Sequence, residues 1–138
     1  MPDISGIVIS NPKVLNLLAS CSQAAFGFKY SWALIEPTNA FTLSTIGIDG
    51  YPRGRVVLLK SYDSEGFIFY TNYNSSKGFD IKNNPNVCMS FFWSQDERQI
   101  IIKGVASKVA NSVSDKYFDS RPLESRLGAM VSDQSNII

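Results

Sequence analysis

Cations and hydroxyl groups concentrate in one stretch of the chain, residues 53–77, and could together bind an anion. The stretch contains Arg55, Lys60, Ser75, Ser76 and Lys77. Two apolar runs on either side of DSEG (63–66) predict a β-hairpin, which needs no such cations in order to fold. The cations therefore either bind an anion or solvate a sheet edge and discourage edge pairing. Their spacing alone leaves both interpretations open.

Three polar side chains spaced by four residues form a second candidate site: Tyr117, Arg121 and Ser125. Pro122 disfavours a helical conformation at Arg121, so we predict a junction between two helices there. The second helix would direct free backbone N–H groups towards any group that Arg121 holds. This combination could bind a phosphate. Alternatively, Arg121 pairs with Asp119 or Glu124 and the segment is only a capped turn.

The composition narrows the chemistry that the chain could perform. Its 138 residues include 44% hydrophobic and 18% charged side chains, which indicates one globular domain. A net charge of +1 argues against nucleic-acid binding through bulk electrostatics. The sequence has no histidine and no CxxC, so a zinc site or a Ser-His or Cys-His nucleophile lacks its usual residues. We expect no metal, and an enzyme of this composition would need a cofactor for its chemistry.

The sequence carries no signal for a membrane or for secretion. No apolar run reaches the length of a membrane span, and MPDISGIVIS lacks the cationic start and long apolar segment of a signal peptide. Cys21 and Cys88 lie far apart among apolar neighbours. We therefore expect two buried free thiols in a cytoplasmic protein.

The apolar patterns predict a single domain of mainly β structure, an antiparallel β-barrel with flanking helices. We expect a loose arm over residues 1–10, a helical cover over 11–35, the barrel over 40–110 and a helical segment over 111–138. Within the barrel we predict strands at 41–48, 56–59, 67–71, 87–93 and 98–109, and a short helix at 76–83. Asp49-Gly50 predicts a tight hairpin turn.

An ordered set of motifs resembles the pyridoxine/pyridoxamine 5'-phosphate oxidases. These motifs are RVVLLK (55–60), FYTN (69–72), SxK (75–77), NNP (83–85), ERQ (97–99), YFxSRPxxS (117–125) and SxQS (132–135). The resemblance covers about residues 37–138. It implies an FMN-binding split β-barrel and a homodimer that holds the flavin in the subunit interface. It also implies oxidation of pyridoxamine or pyridoxine 5'-phosphate to pyridoxal 5'-phosphate, with O2 as acceptor and hydrogen peroxide as the second product.

The same resemblance implies a role for individual residues. Arg55 and Lys77 would bind the FMN phosphate, and 56–60 would lie along the flavin. The implied cofactor-binding residues are Arg55, Val56, Val57, Leu58, Leu59, Lys60, Tyr70, Thr71, Ser76, Lys77, Gln99, Gln134 and Ser135. The implied substrate-phosphate residues are Lys60, Tyr117, Arg121 and Ser125. No protein side chain is implied as a catalytic base, because the flavin performs the chemistry.

Departures from the family pattern lower the expected activity. Family members continue beyond the SxQS motif with an Arg-x-His element near the substrate and with a Trp and an Arg near the flavin. The N-terminal arm of this chain lacks the Arg and the Tyr that family members place over the substrate. Many members also carry a cation at the position where this chain has Ser76. Hydride transfer to a flavin needs positioning more than a protein base, so we expect weak activity or none. The alternative is a non-catalytic split-barrel protein that binds FMN or pyridoxal phosphate.

One geometric conflict follows from these assignments. Arg55 and Lys60 are five residues apart, so in a regular strand their side chains point to opposite faces. Both can contact one flavin only if the strand bulges or twists strongly, or if the flavin lies across its end. We therefore predict an irregularity between them.

Overall fold

The computed structural model describes residues 4–11, 39–94 and 97–131, and this part of the chain forms a closed antiparallel barrel with helices at its periphery. The strands are β1 (Ile4–Ser10), β2 (Ala40–Ile46), β3 (Pro52–Tyr62), β4 (Phe67–Asn72), β5 (Asn86–Trp93) and β6 (Arg98–Lys108). The helices are α1 (Ser76–Asn83), α2 (Asn111–Ser120) and α3 (Leu123–Val131). The strand order around the barrel is β1-β4-β3-β2-β5-β6, with β6 closing on β1. The predicted fold class, a mainly β antiparallel barrel, is confirmed.

Strand β1 is the main difference from the sequence prediction. It lies between β4 and β6, where Ile7 pairs with Phe69 on one side and with Lys108 on the other. Ile7 and Ile9 are fully buried. The loose arm predicted over 1–10 is therefore wrong for 4–10. The strands that pair with β1 lie far away in the sequence, so the short apolar alternation of SGIVIS alone was too weak to predict a strand.

Other predicted segments lie partly outside the described residues. Of the helical cover predicted over 11–35, only Asn11 is described, and its side-chain amide donates a hydrogen bond to the Lys103 carbonyl. Residues 132–138 of the last predicted segment also lie outside the described ranges. No helix within those ranges is long and apolar enough to cross a membrane.

Alternate residues of the strands point into the barrel, and most of these side chains are apolar. The rings of Phe41, Phe69 and Phe91 meet there, with centroid distances of 5.8 Å and 5.2 Å from Phe41 to the other two. The opposite side of β3, β2, β5 and β6 faces outwards. Cys88 lies on that side and is half-buried, so the expectation of a buried thiol is wrong for it. Cys21 lies outside the described residues.

Strand β3 contains one bulge, at Lys60. Leu59 pairs with Phe69 and Ser61 pairs with Ile68, so Lys60 is an extra residue in the ladder. The bulge follows the regular alternation of β3, in which Arg55 and Leu59 point inwards. The irregularity was predicted between Arg55 and Lys60, but the strand is regular there and the bulge lies at Lys60 itself, too late to turn Lys60 inwards. Arg55 and Lys60 therefore remain on opposite sides of the sheet.

Helix α1 covers one end of the barrel. Because neighbouring strands are antiparallel, β2 ends, β3 begins and β4 ends at this same end. A short turn leads from β4 into α1, whose observed bounds agree with the predicted 76–83. A Cβ atom on Gly78 would lie 2.1 Å from the Tyr73 carbonyl oxygen, so α1 can approach the turn only with glycine there.

Helices α2 and α3 meet at the predicted junction. Helix α2 is attached to β1 through Ser114, whose buried hydroxyl accepts a hydrogen bond of 2.9 Å from the Gly6 N–H. Arg121 follows α2 in an extended conformation, with φ −77° and ψ 147°. Pro122 disfavours a helical conformation at Arg121, and α3 begins directly after the proline, so Arg121 and Pro122 separate the two helices.

Candidate functional site

Polar side chains from β2, β3 and the first turns of α1 meet at the end of the barrel that α1 covers. We call this group the barrel-end cluster: Thr45, Arg53, Arg55, Ser75, Lys77 and Asp80. Arg55 Nη1 donates to Thr45 Oγ1 at 2.6 Å and to the carbonyls of Arg53 and Leu43 at 3.1 Å and 3.3 Å. Arg55 Nη2 lies 3.5 Å from Asp80 Oδ2. These contacts fix the orientation of the Arg55 guanidinium.

Ser75 and Lys77 supply the second half of this cluster. Ser75 is the N-cap of α1, and its hydroxyl accepts hydrogen bonds from the Gly78 N–H at 3.5 Å and from Lys77 Nζ at 3.2 Å. Lys77 is only 8% exposed. Burial and the nearby Arg55 both lower the pKa of Lys77. Burial also lowers the pKa of Arg55, although Asp80 opposes that shift. Both cations are thus partly desolvated, which favours an anion beside them.

The residues at this end of the barrel fit a phosphate monoester. Two cations, a serine hydroxyl and the N-terminal N–H groups of α1 are the usual donors to phosphate. Thr71, at the end of β4, is 6% exposed, and its hydroxyl has no hydrogen-bond partner among the described residues. Ser76, the first residue of α1, adds no charge. Arg55 lies on a strand with a partner on each side, so protection of a sheet edge does not explain it.

We expect binding of a phosphorylated flavin to weaken as the pH rises through the lowered pKa of Lys77, because the cluster then loses a positive charge. The pH dependence of the FMN dissociation constant, followed by quenching of flavin fluorescence, measures this. Lys77→Met should bind more weakly at neutral pH and lack that pH dependence. Lys82→Met, which removes an exposed lysine of the same helix, should behave like the wild type.

The stability of the ligand-free protein should show the opposite trend with pH. The pKa of Lys77 lies below its ordinary value of 10.5 in the folded protein, so the unfolded chain holds this proton to higher pH. The free energy of unfolding should therefore rise with pH between those two values. An unchanged pH dependence in Lys77→Met would contradict this assignment.

A second cluster lies on the outer side of the barrel, where α2 packs against β1 and its Tyr117 side chain lies beside residues of β3 and β4. We call it the outer-face cluster: Lys60, Tyr70, Tyr117 and Arg121. The rings of Tyr70 and Tyr117 are stacked, with centroids 3.7 Å apart and planes 9° from parallel. Lys60 Nζ and Arg121 Cζ each lie 5.9 Å from the centroid of the Tyr117 ring. Burial, together with Tyr117, raises the pKa of Tyr70, so its hydroxyl remains protonated at neutral pH.

The outer-face cluster also has the composition of an anion site. No salt bridge joins Arg121 to Asp119 or Glu124 within the part of the chain that the structure describes. The capped-turn alternative considered for this segment therefore lacks its ion pair. Ser125 is half-buried in the first turn of α3, close in sequence to Arg121. Two cations near a tyrosine, beside the start of a helix, can bind a second phosphate.

The structure separates several residues that were predicted to contact one flavin. Leu59 is fully buried in the core and Val57 packs against the core, whereas Val56 and Leu58 face outwards. The Tyr70 ring belongs to the outer-face cluster. Gln99 is exposed on β6, with β2 and β5 between it and β3. Gln134 and Ser135 lie outside the described residues.

Sequence reasoning missed three members of the barrel-end cluster: Thr45, Arg53 and Asp80. Asp80 carried a usable signal, because it follows Lys77 by three residues and so shares its helix face. Thr45 continues the inward alternation of Phe41 and Leu43 along β2. A polar residue at such a position needs a partner, which is the signal that could have identified it.

Comparison with known sequences agrees with the motifs. The family described as Pyridoxamine 5'-phosphate oxidase matches residues 32–138. The pyridoxine/pyridoxamine 5'-phosphate oxidase of Flavobacterium johnsoniae is 65% identical over 100 residues, which are 72% of this chain and 47% of the relative. The corresponding protein of Bordetella pertussis is 51% identical over 106 residues, 77% of this chain and 50% of the relative. The chain spans about half the length of the curated relatives it matches.

Solved structures show the same fold. PhzG from Burkholderia lata, in complex with tetrahydrophenazine-1-carboxylic acid, is 26% identical with a TM-score of 0.77, covering 93% of this chain and 61% of PhzG. A pyridoxamine 5'-phosphate oxidase-related, FMN-binding protein from Nostoc punctiforme is 16% identical with a TM-score of 0.64, covering 83% and 65% of the two chains. The family match spans most of the sequence and agrees with the barrel described above. The chain therefore belongs to the pyridoxamine 5'-phosphate oxidase family.

Proposed function

We propose that the protein binds FMN and oxidises pyridoxamine or pyridoxine 5'-phosphate to pyridoxal 5'-phosphate, with O2 as electron acceptor. The observation that carries the proposal is the presence of two separate phosphate-compatible clusters on opposite sides of β3. A cofactor and a substrate that each carry one phosphate would need such a pair of sites. The names of the relatives support the reaction.

The barrel-end cluster is the proposed site of the FMN phosphate. Arg55 and Lys77 would bind it with charged hydrogen bonds, and Ser75 would hold the start of α1 so that its N–H groups face the ligand. When bound, FMN would accept two electrons from the substrate and pass them to O2. The protein's own contribution is to bind and orient both molecules, because no described side chain is placed as a base.

The outer-face cluster is the proposed site of the substrate phosphate. Lys60 and Arg121 would neutralise it, and Tyr117 and Ser125 would add hydroxyl contacts. Lys60 and Arg55 are roughly 17 Å apart along β3, at about 3.3 Å per residue. Because the two clusters lie on opposite sides of the sheet, FMN would have to pass across the end of β3, and the separation then leaves room for a flavin ring system and a substrate ring between the two phosphates. Anchoring the substrate by its phosphate would hold its reactive carbon in one orientation, which is how positioning lowers a barrier.

We also propose that a second copy of the chain covers the flavin. Two or three charged hydrogen bonds contribute about 1.5–3 kcal/mol each, while association costs on the order of 4–15 kcal/mol, so the ring system must be buried as well. The outer side of the barrel is apolar: Val56, Phe92 and Ile101 are 68%, 71% and 57% exposed. Gln99 pairs with Phe92 at the margin of this surface, where it could reach a flavin held mainly by the partner.

The proposal is tested by adding FMN to the purified chain, desalting it, and then adding pyridoxamine 5'-phosphate without oxygen. We expect the protein to retain flavin, to lose its visible absorption slowly on substrate addition, and to recover it when O2 is admitted. Pyridoxamine without the phosphate should bleach it far less at equal concentration, because the outer-face cluster then has no anion to bind.

Each outcome of this experiment separates one part of the proposal from the others. A colourless protein after desalting would contradict FMN binding. Flavin that is retained but never bleached would support the non-catalytic alternative. Equal bleaching by the phosphorylated and unphosphorylated amines would contradict the substrate site.

A further inference from the structure

Asp80 is a buried carboxylate at the centre of the barrel-end cluster. It is 2% exposed and lies on the face of α1 that covers the barrel end. Its Oδ1 is 3.5 Å from Arg53 Nη1 and its Oδ2 is 3.5 Å from Arg55 Nη2. The Thr45 hydroxyl donates to Oδ2 at 2.7 Å. A carboxylate this deeply buried is costly unless it is paired, and these three contacts provide the pairing.

The contacts of Asp80 decide which part of Arg55 a ligand can reach. Arg55 Nη1 is directed at Thr45 and two backbone carbonyls, and Thr45 in turn donates to Asp80. Arg55 Nη2 faces Asp80, while Arg55 Nε donates to no described residue. Asp80 and Thr45 therefore hold one side of the guanidinium and leave its Nε side for an incoming anion.

The charge of Asp80 has a second effect on the same ligand. Without a ligand, its negative charge reduces the repulsion among Arg53, Arg55 and Lys77. When a phosphate dianion binds beside Arg55, the carboxylate lies close to it and repels it. Asp80 thus favours phosphate binding by orienting Arg55, whereas its negative charge opposes phosphate binding.

We propose that Asp80 is a positioning residue that sets the phosphate affinity of the barrel-end cluster, orienting Arg55 while limiting the attraction of the site for a dianion. The inference rests on the proposed FMN-binding function of this cluster. It assigns to Asp80 an effect on the phosphate of the cofactor and none on the flavin ring.

Comparing FMN with riboflavin, which lacks the phosphate, tests this assignment. Asp80→Asn keeps an oxygen that accepts from Thr45 and Arg55 but removes the charge, so the ratio of the riboflavin to the FMN dissociation constant should rise about tenfold. Asp80→Ala also removes the acceptor, so its ratio should be clearly below that of Asp80→Asn. Asp49→Asn is the matched control, because Asp49 contacts Arg53 at 2.9 Å on the exposed side and does not touch Arg55.

Several results would overturn the inference. A purely structural role for Asp80 would weaken both flavins equally and leave the ratio unchanged. An unchanged or lower ratio in Asp80→Asn therefore contradicts the proposal, as does a rise of the same size in Asp49→Asn. If the wild type binds neither flavin, the proposed function is contradicted. The role of Asp80 is then tested separately, by measuring melting temperatures with and without inorganic phosphate. Phosphate should raise the melting temperature of Asp80→Asn more than that of the wild type, and equal shifts would contradict the inference.

Discussion

Replacing Arg55 with alanine should weaken FMN binding about a hundredfold or more, so that flavin no longer remains bound through desalting. The guanidinium is partly buried, is held in one orientation, and would donate two charged hydrogen bonds to the phosphate. Such bonds contribute about 1.5–3 kcal/mol each, and every 1.4 kcal/mol is about a tenfold change in affinity. Arg53→Ala should lose much less FMN affinity, because the Arg53 side chain is 39% exposed and contacts the other side chains of the cluster only through Asp80. Titration of each variant with FMN and with riboflavin measures both effects.

A second variant separates loss of binding from loss of folding. Arg55→Ala alone leaves Asp80 buried with one arginine fewer, and breaking a buried ion pair costs about 3–5 kcal/mol of stability. In the single variant the Asp80 carboxylate keeps its contacts with Arg53 and Thr45 but loses Arg55. The double variant Arg55→Ala, Asp80→Asn removes this partly compensated charge, so it should be more stable than the single variant. Its preference for FMN over riboflavin should still be far smaller than that of the wild type, because Lys77 and the start of α1 keep only part of the phosphate contacts. A double variant that prefers FMN as strongly as the wild type would show that Arg55 does not bind the phosphate.

Local signals in the sequence were sufficient to predict the parts of the fold that depend on neighbouring residues. Helix α1 begins after the capping residue Ser75 and ends at Asn83, the first residue of the NNP motif, as its start and stop signals indicate. The turn after β2 contains Gly50 with φ +81°, a conformation that favours glycine and that the Asp-Gly pair predicts. Helix α2 is an exception, because it begins at Asn111 after Ala110, which makes no side-chain cap.

Long-range contacts account for what the sequence did not reveal. Arg55 and Lys60 lie on opposite sides of β3, as the alternation of a regular strand requires, and their neighbours there come from β2, β4, α1 and α2. The stacking of Tyr70 on Tyr117 and the pairing of Asp80 with Thr45 each join distant parts of the chain. Spacing along the sequence identifies candidate residues, whereas their grouping into two clusters depends on the closed barrel.

The closed barrel itself depends on β1, and Ile7→Ala should lower the free energy of unfolding by about 2–5 kcal/mol. Ile7 is fully buried between β4 and β6, so truncation leaves a cavity that a close-packed interior cannot easily fill. Val8→Ala is the matched control, because Val8 lies next to it in β1 but is only half-buried. Its effect should be the smaller of the two. Chemical denaturation of both variants, without flavin and at one protein concentration, measures the difference.

The comparison also distinguishes a strand from the loose arm that the sequence first indicated. In a loose arm both truncations would cost little, and equal small effects would therefore contradict the described position of β1. If Ile7→Ala is the more costly, β1 contributes to the core, and its loss would leave β4 and β6 with unpaired edges that invite association. The outer-face cluster includes Tyr70 of β4, which pairs with β1, and Tyr117 of α2, which Ser114 attaches to β1. The barrel-end cluster lies on β2, β3 and α1, none of which pairs with β1. We therefore expect Ile7→Ala to weaken FMN binding only through unfolding, so that its loss of affinity disappears under conditions in which the variant is fully folded.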